Sequence, residues 1–177
     1  MRSALRIGLV SDTHGLLDPK LAEVFAGCER IVHGGDVVKA AVLAGLAEIA
    51  PVTAVRGNND EGPVFAHLPE TALLEVGPLT LLAVHDLGSR SDPVPPARAI
   101  LARRRPEIVV HGHSHRPGAA VLQGTLFVNP GSAGPRRFTL PRTAAVLTAR
   151  GRKVAIAFFD LAGPRPAPFG DPVEADL

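Results

Sequence analysis

The sequence predicts an α/β protein whose first third follows a strand-helix-strand pattern and whose second half is rich in strands. In the first third, short apolar runs alternate with helix-like stretches;. Each apolar run ends in a polar turn that contains glycine, and these turns read SDTHG, HGGD and RGNND. Because open α/β sheets place ligands at the carboxyl ends of their strands, the three turns are expected to share one functional edge.

The individual elements follow from apolar periodicity and turn residues. The first third predicts strands over 5–10, 31–33 and 52–55 and helices over 17–25 and 38–49. The segments TALLEV and LTLLAVH flank Gly77-Pro78 as a predicted hairpin, and a helix over 96–105 follows;. The remainder predicts a strand over 108–110, two strands around Gly124, and a final hairpin of 144–148 with 154–159;.

Length and composition favour one folded domain. The chain has 177 residues, 46% of them apolar and 20% charged, which is ordinary globular composition;. We expect this domain to span 1–162. The last segment, 163–177, is rich in proline and in small or acidic residues, and we expect a tail that lies along the surface or is disordered;.

Charge, cysteine content and hydropathy restrict the partners and the compartment. The formal charge of +2 argues only weakly for an anionic partner. The single cysteine, Cys28, cannot form an internal disulfide and is interpreted as a small packing residue;. No stretch approaches the ~18 apolar residues that span a bilayer. The expected location is therefore the cytoplasm, with no membrane partner.

The histidines are concentrated at predicted strand ends. The residues at or next to such ends are His14, His33, His85, His111, His113 and His115, whereas His67 is interpreted as ordinary surface. Imidazole and carboxylate groups suit divalent transition metals, and alternating residues can point two ligands the same way. Asp12 with His14, and His113 with His115, have that spacing.

The order of the turns is more specific than any one of them. The motifs Asp12-x-His14, Gly35-Asp36, Gly57-Asn58, His85 and Gly112-His113-x-His115 follow one another, and Asn129-Pro-Gly-Ser132 comes later. With this set, the chain resembles the calcineurin-like metallophosphoesterase superfamily, in particular its small bacterial and archaeal phosphodiesterase branch. The resemblance runs from Ile7 to about Gly134.

The resemblance implies a fold, a ligand set and a cofactor. The implied fold is a four-layer α/β/β/α sandwich of two mixed β-sheets flanked by helices. By resemblance, Asp12, His14 and His115 hold one metal, Asn58, His85 and His113 hold the other, and Asp36 bridges them. The implied cofactor is two divalent transition-metal ions, with manganese favoured over nickel, iron and zinc. Asn58 can offer only a neutral carbonyl oxygen, whereas each oxygen of Asp36 can bind one cation.

A two-metal centre implies a reaction without a nucleophilic side chain. Two divalent cations lower the pKa of a bridging water, so that hydroxide can attack phosphorus near neutral pH. In agreement, no Ser or Cys has an evident activating partner in the sequence. The expected function is hydrolysis of a phosphodiester.

Several positions depart from the wider family or admit two interpretations. Asn59 stands where many members have a histidine that protonates the leaving group, and an amide cannot act as a general acid. Asp60 either orients Asn58 or a water, or stabilises the turn. Asp86 either tunes a ligand or caps the following turn. Arg56 either binds a substrate phosphate or anchors a nearby carboxylate.

Other polar residues are given supporting roles. His33 and His111 are expected to pack or to hold ligands rather than to ligate. The turn formed by Asn129, Gly131 and Ser132 is expected to shape the pocket wall. Arg136 and Arg137 could reach a polyanionic substrate, although a solvated arginine pair is the simpler interpretation.

Three functions compete at this stage. Beside the phosphodiesterase stand a phosphomonoesterase or nucleotide phosphatase, which extra cations in the pocket would favour, and a non-catalytic protein-binding scaffold resembling the retromer subunit of eukaryotes. The complete ligand set favours an enzyme, because an unused cluster of carboxylates and imidazoles would be costly to bury.

The expected partner is a small phosphodiester. Nucleic acid is less favoured, since aromatics are only 4% of the chain;. A homo-oligomer is compatible with the resemblance.

Overall fold

The computed structural model describes residues 4–177, which form twelve strands and three α-helices. The strands are β1 Leu5–Val10, β2 Arg30–His33, β3 Val52–Ala54, β4 Thr71–Val76, β5 Leu79–Val84, β6 Ile108–His111, β7 Gly118–Leu122, β8 Thr125–Asn129, β9 Thr143–Arg150, β10 Lys153–Asp160, β11 Ala167–Pro168 and β12 Val173–Asp176. The helices are α1 Leu21–Val24, α2 Ala40–Ala47 and α3 Pro95–Arg104.

The strands form two mixed sheets. The first has the order β11-β10-β9-β1-β2-β3, with β12 also paired to β10. The second has the order β4-β5-β6-β8-β7. The parallel strands are β1, β2 and β3 in the first sheet and β5, β6 and β8 in the second. Each sheet therefore collects the carboxyl ends of three strands at one edge.

Three apolar clusters define the layers. The largest lies between the two sheets, where Leu9 and Leu147 of the first sheet meet Leu81 and Ile108 of the second. A second cluster joins the outer face of the first sheet to α1 and α2, and a third joins the outer face of the second sheet to α3. Alternating side chains along each strand supply both faces. The predicted four-layer α/β/β/α arrangement is confirmed.

Two helices are shorter than predicted. The helix expected over 17–25 begins only at Leu21, because Pro19 disfavours helical geometry at Asp18, whose carboxylate instead accepts from Lys20 N–H at 3.0 Å;. The helix expected over 38–49 begins at Ala40, because Val38 has a φ of 67° and Lys39 is extended;. The structure places these residues in the turns instead.

The C-terminal segment is more regular than its composition suggested. It does lie along the surface, but β12 pairs with β10 along its whole length, and Val173, Ala175 and Leu177 pack against the cluster between the sheets. The alternation of these three residues with Glu174 and Asp176 gives the segment one apolar face;. Prolines at 164, 166 and 168 obscured this short strand pattern.

We expect Val173→Asn to lower the free energy of unfolding by about 1–2 kcal/mol, because it replaces a partly buried side chain against the core;. Glu174→Gln, on the exposed face of the same strand, should change it by less than ~0.5 kcal/mol;. Urea unfolding of both variants measures the difference. Equal values would show that the strand does not pack on the core.

None of the helices within residues 4–177 is long and apolar enough to cross a membrane.

Candidate metal centre

Polar side chains from both sheets meet at the edge that collects the parallel strand ends. The turns after β1, β2 and β3 supply Asp12, His14, Asp36 and Asn58, and the turns after β5 and β6 supply His85, His113 and His115. The structure thus brings together all seven side chains that the resemblance assigned as ligands. Their role as ligands stays a prediction.

Five of these seven residues have a left-handed backbone. Their φ angles are 53° for Asp12, 45° for His14, 57° for Asp36, 66° for His113 and 57° for His115. Residues other than glycine rarely adopt this region, and the strain is tolerated mainly at functional sites. These turns therefore hold an unfavourable backbone conformation in which the side chains converge on one point.

The first group consists of Asp12, His14 and His115. The two imidazole Nε2 atoms are 3.2 Å apart, and His115 Nε2 is 3.2 Å from Asp12 Oδ1. The other oxygen of Asp12 accepts from the Ser11 hydroxyl at 2.6 Å and from His113 N–H at 3.1 Å. Asp12 is thereby fixed through Oδ2, with Oδ1 directed at the two rings.

The second group consists of Asn58, His85 and His113. The Asn58 carbonyl oxygen lies 3.0 Å from His85 Nε2 and 3.1 Å from His113 Nδ1. His85 Nδ1 lies 2.8 Å from the Gly34 carbonyl oxygen. A carbonyl can only accept, so Nδ1 carries the proton and Nε2 keeps its lone pair, as a metal-ligating imidazole requires.

Asp36 lies between the two groups. Its Oδ2 is 3.8 Å from His14 Nε2 and its Oδ1 is 3.5 Å from His85 Nε2. One oxygen therefore faces each group. A carboxylate so placed has the geometry expected of a bridging ligand.

The residues present fit divalent cations. Neighbouring ligands of a cation with bonds of about 2.1 Å are separated by roughly 3.0–3.4 Å, which matches the contacts within both groups;. Asp12 Oδ1 is buried, yet within residues 4–177 no donor reaches it with hydrogen-bond geometry. A buried carboxylate oxygen without a donor is costly unless a cation accompanies it.

Burial and neighbouring charges shift the titration of the first group. Burial alone would raise the pKa of Asp12, but its contacts with His115 and with the Ser11 hydroxyl hold that pKa below its usual value. Burial, reinforced by Arg137, lowers the pKa of His14. Both shifts favour the deprotonated forms that ligate metals.

His33 connects the turns of the first sheet without reaching the cluster. Its buried ring accepts from Gly35 N–H at Nδ1, over 3.1 Å, and its Nε2 lies 3.0 Å from the Thr13 hydroxyl. That hydroxyl is 3.4 Å from the main-chain oxygens of Asp36 and Val37. Burial lowers the pKa of His33 to about 4, so the ring is neutral. The expected supporting role of His33 agrees with these contacts.

His111 also stays outside the cluster. Its Nδ1 is 3.5 Å from the Asn129 amide, and its buried Nε2 has no partner within residues 4–177. Burial lowers the pKa of His111 to about 4.

Three further polar positions have definite contacts. Asn59 donates to Asp36 from both its main-chain N–H, at 2.8 Å, and its side-chain amide, at 2.5 Å. Asp60 accepts from Gly57 N–H and Val38 N–H, each at 2.8 Å, so its carboxylate joins two turns. These contacts favour the turn-stabilising interpretation of Asp60 over a catalytic one. Asp86 accepts from Gly88 N–H at 2.8 Å and caps the turn.

A pocket of about 700 Å³ opens beside the second group. Asn58, His85 and His113 line it together with four acidic residues and one arginine, namely Asp60, Glu61, Glu70, Asp86 and Arg56. Arg56 Nη2 is 3.2 Å from Glu70 Oε1 in an exposed pair. Of its two predicted roles, the observed contact is the one with a carboxylate.

The turn after β8 supports the cluster from behind. Asn129 donates from its side-chain amide to the Gly112 carbonyl at 2.8 Å, and the Ser132 hydroxyl donates to the Asp12 carbonyl at 2.8 Å. The turn therefore holds the main chain of the ligand turns rather than the pocket wall. Where the turn after β3 meets the turn after β2, a Cβ atom at Gly57 would collide with the Asp36 main chain and carboxylate.

Sequence reasoning did not single out some residues that position the site. Thr13, between Asp12 and His14, was not predicted to have a role. Arg142 was not singled out either, and it donates to the carbonyls of Ala133 and Gly134 at 2.9 and 2.6 Å. Arg137, expected as part of a solvated pair, instead has Nη2 3.4 Å from His14 Nδ1. The motif Asp-Thr-His was the available signal for Thr13, whereas the two arginine contacts depend on tertiary structure.

This fold and this cluster agree with a known family. The calcineurin-like phosphoesterase superfamily domain matches residues 5–152. A probable metallophosphoesterase of Methanocaldococcus jannaschii is 31% identical over 144 residues, which cover 77% of this chain and 69% of the relative. The chain belongs to the calcineurin-like phosphoesterase superfamily.

Solved structures share the fold. Vacuolar protein sorting 29 of Cryptosporidium parvum superposes with a TM-score of 0.81 at 20% identity, covering 99% of this chain and all of that one. An archaeal phosphodiesterase superposes with a TM-score of 0.66 at 24% identity, covering 81% of this chain and 93% of that one. At these identities, the likeness concerns the fold alone.

Proposed function

We propose that the protein is a dinuclear-metal phosphodiesterase whose two cations occupy the groups around Asp36. The observation that carries the proposal is the position of Asp36, with one oxygen facing His14 and the other facing His85. When bound, two divalent cations supply Lewis acidity and a hydroxide nucleophile at neutral pH. Manganese is the proposed metal, with nickel, iron and zinc compatible with the same donors.

The residues of the chain would prepare the site in distinct ways. Asp12, His14 and His115 would hold the first cation, and Asn58, His85 and His113 the second. His85 is kept in the ligating tautomer by Gly34. The two donors of Asn59 keep the Asp36 carboxylate oriented before a metal arrives. Each supporting bond removes a rotational freedom that the ligands would otherwise lose on binding.

The charges in the pocket favour a diester over a monoester. A monoester dianion needs more cationic partners, yet the only arginine lining the described pocket is already beside Glu70. Glu61 and Asp86 add negative charge to the same walls. A diester brings one negative charge and a second organic group, so it meets less repulsion.

Metal dependence and ester preference test the proposal together. The chelator-treated protein is given Mn²⁺, Ni²⁺, Zn²⁺ or Mg²⁺ and assayed with bis(p-nitrophenyl) phosphate and with p-nitrophenyl phosphate. We expect turnover only with added metal, and a larger kcat/KM for the diester. Metal analysis should give about two ions per chain for the active form.

A matched histidine pair serves as the control. His115→Asn removes a proposed ligand while keeping a residue that tolerates positive φ, and His67→Asn makes the same change at an exposed position;. Turnover should be lost in the first variant and kept in the second. Absence of turnover with every metal and both esters would instead favour a protein-binding scaffold of the same fold.

A further inference from the structure

A surface loop lies beside the first group of proposed ligands. Residues 135–140, here called the Arg-Phe loop, are exposed at Arg136, Arg137 and Phe138. At the start of this loop, Gly134 N–H donates to the Asp12 carbonyl at 3.1 Å. At its end, Arg142 donates to Asp18 at 2.7 Å and to the Gly134 carbonyl at 2.6 Å. The loop is thus attached to the turn that carries Asp12.

Phe138 is the exceptional residue of this loop. Its side chain is 94% exposed, and its φ is 53°. A bulky residue with this backbone is strained, and the ring contributes no burial to offset the strain. Five of the other non-glycine residues with positive φ in the described chain are proposed metal ligands. Strain of this kind is concentrated at functional sites.

Arg137 contacts the first group directly. Its Nη2 is 3.4 Å from His14 Nδ1, and arginine can only donate in such a contact;. The contact places the guanidinium of an exposed side chain next to the ligands proposed for the first cation. Guanidinium pairs well with phosphoryl oxygens, so Arg137 is positioned to meet a phosphate held at the cluster.

We propose that the Arg-Phe loop binds the nucleoside part of a nucleoside phosphodiester, with Phe138 stacking on the base and Arg137 pairing with the phosphate. This proposal rests on the proposed function, which places the phosphate at the cluster. A base is favoured because the exposed ring of Phe138 offers a flat face for stacking. The pocket beside the second group is lined by no phenylalanine among the described residues. The chain has no Trp or Tyr that could serve instead.

Calorimetric titration with two phosphates that differ only in the base tests this assignment. The Mn²⁺-loaded protein is titrated with adenosine 5′-monophosphate and with ribose 5-phosphate. We expect about tenfold tighter binding of the adenosine compound, since stacking of one base on an aromatic side chain accounts for that difference. Phe138→Ser should abolish the preference. Arg137→Gln should weaken both ligands by a similar factor and leave the preference intact.

Phe169→Ser is the matched control, because Phe169 is also an exposed phenylalanine but lies in the C-terminal segment. It should keep the full preference. Equal affinity of the wild type for the two ligands, or equal effects of Phe138→Ser and Phe169→Ser, would overturn the proposal even if the protein hydrolyses diesters. A preference that depends on Phe138 in a protein without turnover would support the nucleoside site and reject the proposed hydrolysis.

Discussion

We expect Asp36→Asn to lower metal-dependent diester turnover by more than ~100-fold, since even residues that only support metal ligands change affinity or activity by 10–100-fold. The amide keeps the shape of the side chain and tolerates the left-handed backbone at this position, where φ is 57°;. It removes the negative charge and one of the two anionic oxygens that face His14 and His85. The loss should therefore come from metal affinity and not from misfolding.

The stability of the metal-free variant should change little. Carboxylate oxygens of Asp12 and Asp36 lie within 4.8 Å of each other, and like charges at this distance repel;. Chelator-treated Asp36→Asn should therefore remain folded at pH 8 with a free energy of unfolding close to that of the chelator-treated wild type, because relief of this repulsion offsets the loss of one of the two acceptors that Asn59 uses;. Asp176→Asn makes the same change on the exposed face of β12 and serves as the control, with turnover kept. A variant that unfolds, or that retains turnover, would contradict the assignment of Asp36.

The second large effect is expected at His33. His33→Leu should lower the free energy of unfolding by about 2–4 kcal/mol, because Gly35 N–H and the Thr13 hydroxyl lose their buried partner;. His33→Asn can still accept at the position of Nδ1 and should lose less. His67→Asn, at an exposed histidine, should be nearly neutral;. Urea unfolding in excess chelator measures all three without a contribution from metal.

The same residue predicts how stability depends on pH. The pKa of His33 falls from 6.5 to about 4 on folding, so between these values the unfolded chain binds a proton that the native ring refuses;. The neutral ring of His33 therefore contributes about 3 kcal/mol to the free energy of unfolding;. This contribution is complete above pH 6.5 and is lost as the pH falls to about 4;. His33→Asn should lack this contribution, whereas His67→Asn should follow the wild type. Parallel curves for all three proteins would exclude His33 as the source.

Much of the fold follows from local patterns. Alternation in segments such as 71–76 and 153–160 reports which residues face a core, and glycine-containing turns mark where strands stop;. The motif order also indicated which turns would meet, because parallel strands share a carboxyl edge. The division of the ligands around Asp36 came from the family resemblance and not from the spacing of the residues.

Other features depend on interactions that local patterns do not contain. The left-handed backbone of His14 and His115 is imposed by the turns around them, since histidine alone seldom prefers it;. The contact of Arg137 with His14 joins residues far apart in the chain. The pairing of β12 with β10 required knowing that β10 was left with a free edge;.

The central position of β9 in the first sheet has a consequence for synthesis on the ribosome. β9 pairs with β1, so that Ile7 lies opposite Leu147. The ligand turns are all complete by His115, but one edge of β1 has no neighbour until the final hairpin has been made. A nascent chain would therefore carry all seven proposed metal-ligating side chains on an unfinished sheet with an unpaired edge. Contacts this distant in sequence slow folding and lengthen the time in which that edge is accessible to other chains.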